Sequence, residues 1–148
     1  MEPSELRQAF ERRGIRRVKL GGFDLDGVLR GKYVSLEKFW SALEKGFGFC
    51  DVIFGWDVAD QLYDNAQVTG WHTGYPDALA RIDPASFRVL PSEPSTAHFL
   101  VDFWQSPDVP HPACPRNLLK TTVARAQAGG YRPLFSVEYE YWIFRETP

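Results

Sequence analysis

A chain of 148 residues and 16.9 kDa has room for one ordinary domain, or for one small domain and part of a second, and by itself is not expected to be a large enzyme. With 44% apolar residues, among them 5 Trp, 6 Tyr and 11 Phe, there is enough apolar surface to bury a core, so a disordered tail is excluded. A net charge of -2 and a pI near 5.9 lack the basic face that nucleic acid demands, and no apolar run is long enough to cross a bilayer. The start Met1-Glu2-Pro3-Ser4 carries no apolar signal stretch, so the chain is expected to be cytoplasmic. Cys50 and Cys114 stand alone, which points to reduced thiols rather than a disulfide framework or a zinc site.

In chain order, Ser4 is the candidate N-cap of a first helix, with Leu6 and Phe10 on one face and Gly14 closing its end. From Arg16 the period shortens to two. Val18, Leu20 and Gly22 alternate with Arg17, Lys19 and Gly21, Asp26-Gly27 interrupts, and Val28 to Val34 resumes extended character. This predicts a hairpin with a type I′ turn. The flanking Asp26, Arg30 and Lys32 read as turn and surface residues. Ser35 then caps a helix to Lys45, with Leu36, Phe39, Trp40 and Leu43 on its apolar face and Gly46 as its stop.

Between Gly46 and Ala78 no period is sustained, yet the segment holds Phe47, Phe49, Phe54, Trp56, Tyr63, Trp71 and Tyr75. So many aromatics must pack on their own domain or on another chain. Strand signals return at Leu79 to Ile82, Phe87 to Leu90 and Ala97 to Trp104, completing a small α+β roll. The proline-rich stretch Gln105 to Pro115 reads as a domain boundary. A helix is predicted from Pro115 to Gly129-Gly130 with Leu118, Leu119 and Val123 as its apolar stripe, and a final strand from Leu134 to Phe144.

In that last strand Glu138 and Glu140 would point the same way, about 7 Å apart along the backbone. Paired carboxylates suit Mg²⁺ or Mn²⁺, and the same spacing also suits a solvated stripe. Phe135 to Phe144 (FSVEYEYWIF) resembles the strand Phe-Gly-Pro-Glu-x-Glu-Phe-Phe-Leu-Phe that opens the catalytic domain of glutamine synthetases. Three further pieces follow the family's order: Asp24 to Lys32 (DLDGVLRGK), Asp83 to Pro91 (DPASFRVLP) and Cys114 to Lys120 (CPRNLLK). Together the four span nearly the whole chain.

The resemblance implies an α+β fold with an N-terminal helix at 1–15, a β-grasp (ubiquitin-like) roll over 16–110, and a truncated beginning of the catalytic domain over 111–148. It implies an ATP-dependent ligase that forms a γ-glutamyl amide from glutamate and ammonium or an amine, assembled as a homo-oligomeric ring. Glu138 and Glu140 would each ligate one of paired Mg²⁺ or Mn²⁺ ions, and the isolated chain would be inactive. No Gly-x-x-x-x-Gly-Lys-Ser/Thr loop offers another nucleotide site.

By the same resemblance Asp51 is the candidate for an ammonium or amine subsite serving a neighbouring subunit. Cys50-Asp51-Val52-Ile53 departs there from the family's Asp-Gly-Ser-Ser, which leaves the amine open. From Cys50 to Ala80 there are Asp51, Asp57, Asp60, Asp64 and Asp77 and no Lys or Arg, an acidic stretch that could attract a cation or simply form turns. His72, His98 and His111 lack metal-ligand spacing and read as surface or packing residues. The alternative to a ligase is a catalytically silent β-grasp assembly module in which both glutamates are idle.

Overall fold

The computed structural model describes residues 2–147. Helix α1 (Pro3–Arg13) leads into strands β1 (Arg17–Phe23) and β2 (Leu29–Ser35), helix α2 (Leu36–Lys45) and strand β3 (Phe47–Cys50). A 3₁₀ turn (Asp51–Phe54) and a long loop precede β4 (Asp77–Ile82), and a second 3₁₀ turn (Pro84–Ser86) precedes β5 (Arg88–Val89). Strands β6 (Thr96–Ser106) and β7 (Val109–Pro110) and helix α3 (Pro115–Ala128) complete the regular structure.

Local signals place most of these elements. Ser35 accepts a hydrogen bond from the Lys38 amide and starts α2 as expected. Gly14 ends α1 at φ 60°, a left-handed cap that costs glycine little. The cap at the other end of α1 is Glu2 rather than Ser4: Pro3 takes the first helical position, and the Glu2 amide donates a hydrogen bond to the Glu5 carboxylate.

The strands form one curled mixed sheet of order β2-β1-β6-β4-β3. Strand β1 pairs antiparallel with β2 and parallel with β6, while β6 pairs antiparallel with β4, β5 and β7. Residues of period two put Val18 and Leu20 of β1, Ala80 and Ile82 of β4, and Ala97, Phe99, Val101 and Phe103 of β6 into one core. Helices α1 and α2 cover it through Leu6, Phe10, Phe39 and Ala42. The Phe99 ring lies 4.9 Å from Phe39, 5.3 Å from Phe87 and 6.2 Å from Phe10, so one side chain ties both helices to the sheet.

Four further expectations are corrected. The β1–β2 connection is not a two-residue type I′ turn: Phe23 faces Leu29, so five residues span it, and only Gly27, at φ 79°, takes a positive φ there. The featureless stretch after Gly46 begins with β3, whose Phe47 and Phe49 alternate inward against β4, over too few residues for the period to register.

Helix α3 forms as predicted but does not dock by its apolar stripe, because Leu118 and Leu119 are 67% and 52% exposed. Its first turn is held instead by polar contacts: Arg116 reaches Asp102 at 2.6 Å and Asp83 at 2.5 Å, and Asn117 donates to the Phe103 carbonyl. Finally, Leu134 to Phe144 is not a strand. Those residues lie exposed, among the described residues no neighbouring strand takes their backbone hydrogen bonds, and a lone extended segment is not stable in water.

Candidate functional site

Antiparallel pairing of β3 with β4 sets Cys50 opposite Asp77 and delivers the chain into the 3₁₀ turn that begins at Asp51. The Asp51 amide donates to the Pro76 carbonyl, and the Cys50 thiol to the Tyr75 carbonyl, which closes the loop between these strands at its neck. Asp51 is only 4% exposed. Its Oδ1 accepts a 2.6 Å hydrogen bond from the fully buried Thr69 hydroxyl. Around it Asp51, Pro76, Asp77, Ala78, Trp104, Gln105 and His111 line an open concavity of about 300 Å³.

His111 is 7% exposed and stacks on Phe54 at 4.7 Å, so the packing role expected for it is what the fold uses. Its Nδ1 accepts from the Ala113 amide, and its own amide donates to the Phe103 carbonyl. Burial pushes the imidazole below its ordinary pKa, and the nearby Asp51 carboxylate offsets this in part. His98 is lowered as well, first by burial and then by Lys19.

A histidine whose folded-state pKa is depressed resists a proton that the unfolded chain accepts. Stability is therefore complete above the unfolded value, about 6.5, and declines as pH falls below it toward the folded values. Urea midpoints at about pH 7.5 and 5.5 should show this decline, and His111→Phe, which keeps the stack on Phe54, should shrink it. Equal declines in both proteins would show that His111 titrates no differently when folded.

A second polar centre organises the hairpin. Asp24 is 0% exposed: its Oδ1 accepts from the amides of Asp26 and Val28, and its Oδ2 from Arg30 Nε at 2.7 Å. Arg30 extends the network to Asp60 Oδ1 at 2.7 Å and to the Asp57 carbonyl, and so fastens the hairpin to the loop after Gly55. Arg30 thus has more than the surface role expected of it. The signal for Asp24 was present in Asp-x-Asp-Gly, since an aspartate commonly binds the amide two residues on.

Glu138 and Glu140 lie in the exposed, irregular segment after α3, so no strand holds their carboxylates on one face. Among the described residues no three or more His, Cys, Asp or Glu side chains are grouped as a metal site. No helix among them is long and apolar enough to cross a membrane.

Sequence comparison connects this geometry to known proteins. No family model matches the chain. It is 46% identical over 130 residues to the type-1 glutamine synthetase 2 of Dictyostelium discoideum, covering 88% of this chain and 25% of that protein. It is 35% identical over 144 residues to a glutamate–isopropylamine ligase of a Pseudomonas species, covering 97% of this chain and 31% of the ligase. The chain belongs to the glutamine synthetase family.

It spans between a quarter and a third of the length of these relatives. The fold agrees with that assignment. A solved GmaS/ADP complex superposes with a TM-score of 0.63 at 26% identity, over 82% of this chain and 25% of that one. A Plasmodium falciparum glutamine synthetase, 16% identical, superposes with a TM-score of 0.64 over 88% of this chain and 23% of its own, which shows the shared fold alone. The mixed α/β architecture with its curled sheet is thus similar to that of glutamine synthetase structures.

Proposed function

We propose that this chain is part of an ATP-dependent ligase that joins ammonium or an amine to the γ-carboxyl of glutamate. The observation that carries the reading is the 35% identity, over 97% of the chain, to a protein named for joining glutamate to an amine. In this reading residues 16–110 are a β-grasp roll, which the central parallel β1–β6 pair with α2 packed across it supports. Residues 111–148 begin a catalytic domain. The complete enzyme is a cytoplasmic homo-oligomer whose active sites are shared between subunits, and Asp51 supplies the amine subsite of a neighbour.

Glu138 and Glu140 are the proposed ligands of Mg²⁺ or Mn²⁺. Their hard oxygen donors fit such ions, but two carboxylates leave an octahedron unfilled. Bound there, the cations would offset the charge that gathers during phosphoryl transfer from ATP. The part this chain plays is to present the two carboxylates, which requires neighbouring strands that bring residues 134–144 into a sheet. The isolated chain is accordingly inactive.

The test is amide formation from glutamate, ATP and amine, measured on the 148-residue chain and on a polypeptide of the relatives' length that contains it. The longer protein should be active, and Glu138→Ala/Glu140→Ala should lower its rate by on the order of 100-fold or more and weaken Mn²⁺ binding. Unchanged metal affinity and rate in that variant would favour the silent assembly module instead.

A further inference from the structure

The groove between α1 and α2 combines three features that together describe a ligand. Its floor is apolar and fixed. Phe10, Ile15, Leu36 and Trp40 line a space of about 230 Å³, and the Trp40 ring is held 5.2 Å from Phe10 and 4.9 Å from Phe39. That volume is roughly the space of seven or eight liquid waters, the scale of a small metabolite.

Over that floor the Arg7 guanidinium stacks on the Trp40 ring at 4.0 Å. Stacking engages the face of the guanidinium and leaves its fork of N–H donors able to take a carboxylate through two parallel bonds. Among the described residues Arg7 enters no ion pair.

One helical turn on, Glu11 lines the same groove and is likewise outside every ion pair among the described residues. The two stand at i and i+4, but with the cation nearer the helix N-terminus, the order in which such pairs gain least. A cation and an anion thus lie one turn apart above an apolar surface without neutralising each other.

We propose that this groove binds an apolar α-amino acid as its zwitterion, the carboxylate on Arg7, the ammonium on Glu11 and the aliphatic side chain against Trp40, Leu36 and Ile15. The zwitterion carries both charges on one carbon, so it bridges Arg7 and Glu11 where their own contact is missing. A simple anion or cation meets one partner and is repelled by the other. An acidic side chain, as in glutamate, would bring a charge onto the indole and the leucine, at a desolvation cost. The site is independent of the ligase reading, whose Asp51, Glu138 and Glu140 lie outside both helices.

The experiment uses the 148-residue chain, isotopically labelled, and follows the indole N–H signals by NMR, with that of Trp40 assigned from Trp40→Phe. Leucine should shift the Trp40 signal saturably. Isocaproate, which lacks the ammonium, and isoamylammonium, which lacks the carboxylate, should each bind at least roughly tenfold more weakly. Glycine, which lacks the carbon body, should also bind more weakly than leucine.

Arg7→Gln and Glu11→Gln, both at exposed positions, should each weaken leucine binding by roughly tenfold or more. Glu11→Gln should also narrow the gap between leucine and isocaproate, because it removes the group that repels the anion, a change that a loss of packing alone would not produce. The remaining indole signals report whether each variant is folded, and the ranking of ligands on the unaltered chain decides the matter without any variant.

No saturable shift with leucine, isocaproate or isoamylammonium binding as tightly as leucine, or a shift reproduced by sodium chloride would each overturn the proposal. So would wild-type affinity for leucine in a folded Arg7→Gln or Glu11→Gln.

Discussion

Phe99→Ala should lower the unfolding free energy by about 4 kcal/mol, a large part of the 5–15 kcal/mol that holds a typical domain together. The ring is fully buried where α1, α2, β6 and the residue just before β5 meet, in contact with Phe10, Phe39 and Phe87. Removing it deletes apolar contact and leaves a void that three other aromatic rings, each held by a different element, cannot close together. Urea unfolding should show a lower midpoint at an unchanged slope. Phe87, which is only partly buried at the same cluster, provides the comparison: Phe87→Ala should cost clearly less. If the two substitutions were equally costly, the core would not be centred on Phe99.

The second large effect is expected at Asp24. Alanine there leaves two backbone amides without their acceptor in a loop shaped around the carboxylate, and it removes the buried partner of Arg30. The lost hydrogen bonds alone amount to roughly 3 kcal/mol. The consequence reaches beyond stability, because Arg30 also holds Asp60 and the Asp57 carbonyl. Amide hydrogen exchange should therefore rise both at Val28 and at Asp57 to Gln61 in Asp24→Ala. Asp24→Asn, which keeps an acceptor for the amides but no charge for Arg30, should restore protection at Val28 more than in the loop. Protection unchanged between Asp57 and Gln61 in both variants would show that the loop does not depend on Arg30.

These effects fall on residues of unequal visibility. Phe99 stands in a period-two run, Ala97-Phe99-Val101-Phe103, whose meaning is contained in the run itself. Ser35, Gly14 and Pro115 are legible in the same way, since a cap or first-turn residue acts on backbone groups within a few positions. The importance of Asp24 was half legible: its turn and a nearby Arg30 could be read, but the grip of Arg30 on Asp60 depends on where a loop thirty residues away returns.

The candidate site divides along the same line. That Asp51 lies in an acidic stretch without Lys or Arg is a property of the chain read end to end. That Thr69 buttresses it, and that Trp104 and His111 wall the space beside it, required β4 and β6 to bring distant segments together. Glu138 and Glu140 show the opposite case. Their alternation is plain in the sequence, yet alternation makes a strand only when another strand supplies hydrogen-bond partners, and among the described residues none does.

By itself, then, the amino-acid sequence determined the helices, the main strands, the inward face of the sheet and the family, because each depends on interactions a few residues long or on a pattern repeated along the chain. Only the tertiary structure decided that α3 docks through Arg116 rather than through its leucines, that Asp24 is buried, and that Asp51 is buried against the Thr69 hydroxyl. Each of these rests on which charged or apolar groups, far apart in the chain, compete for the same neighbour once the core has formed.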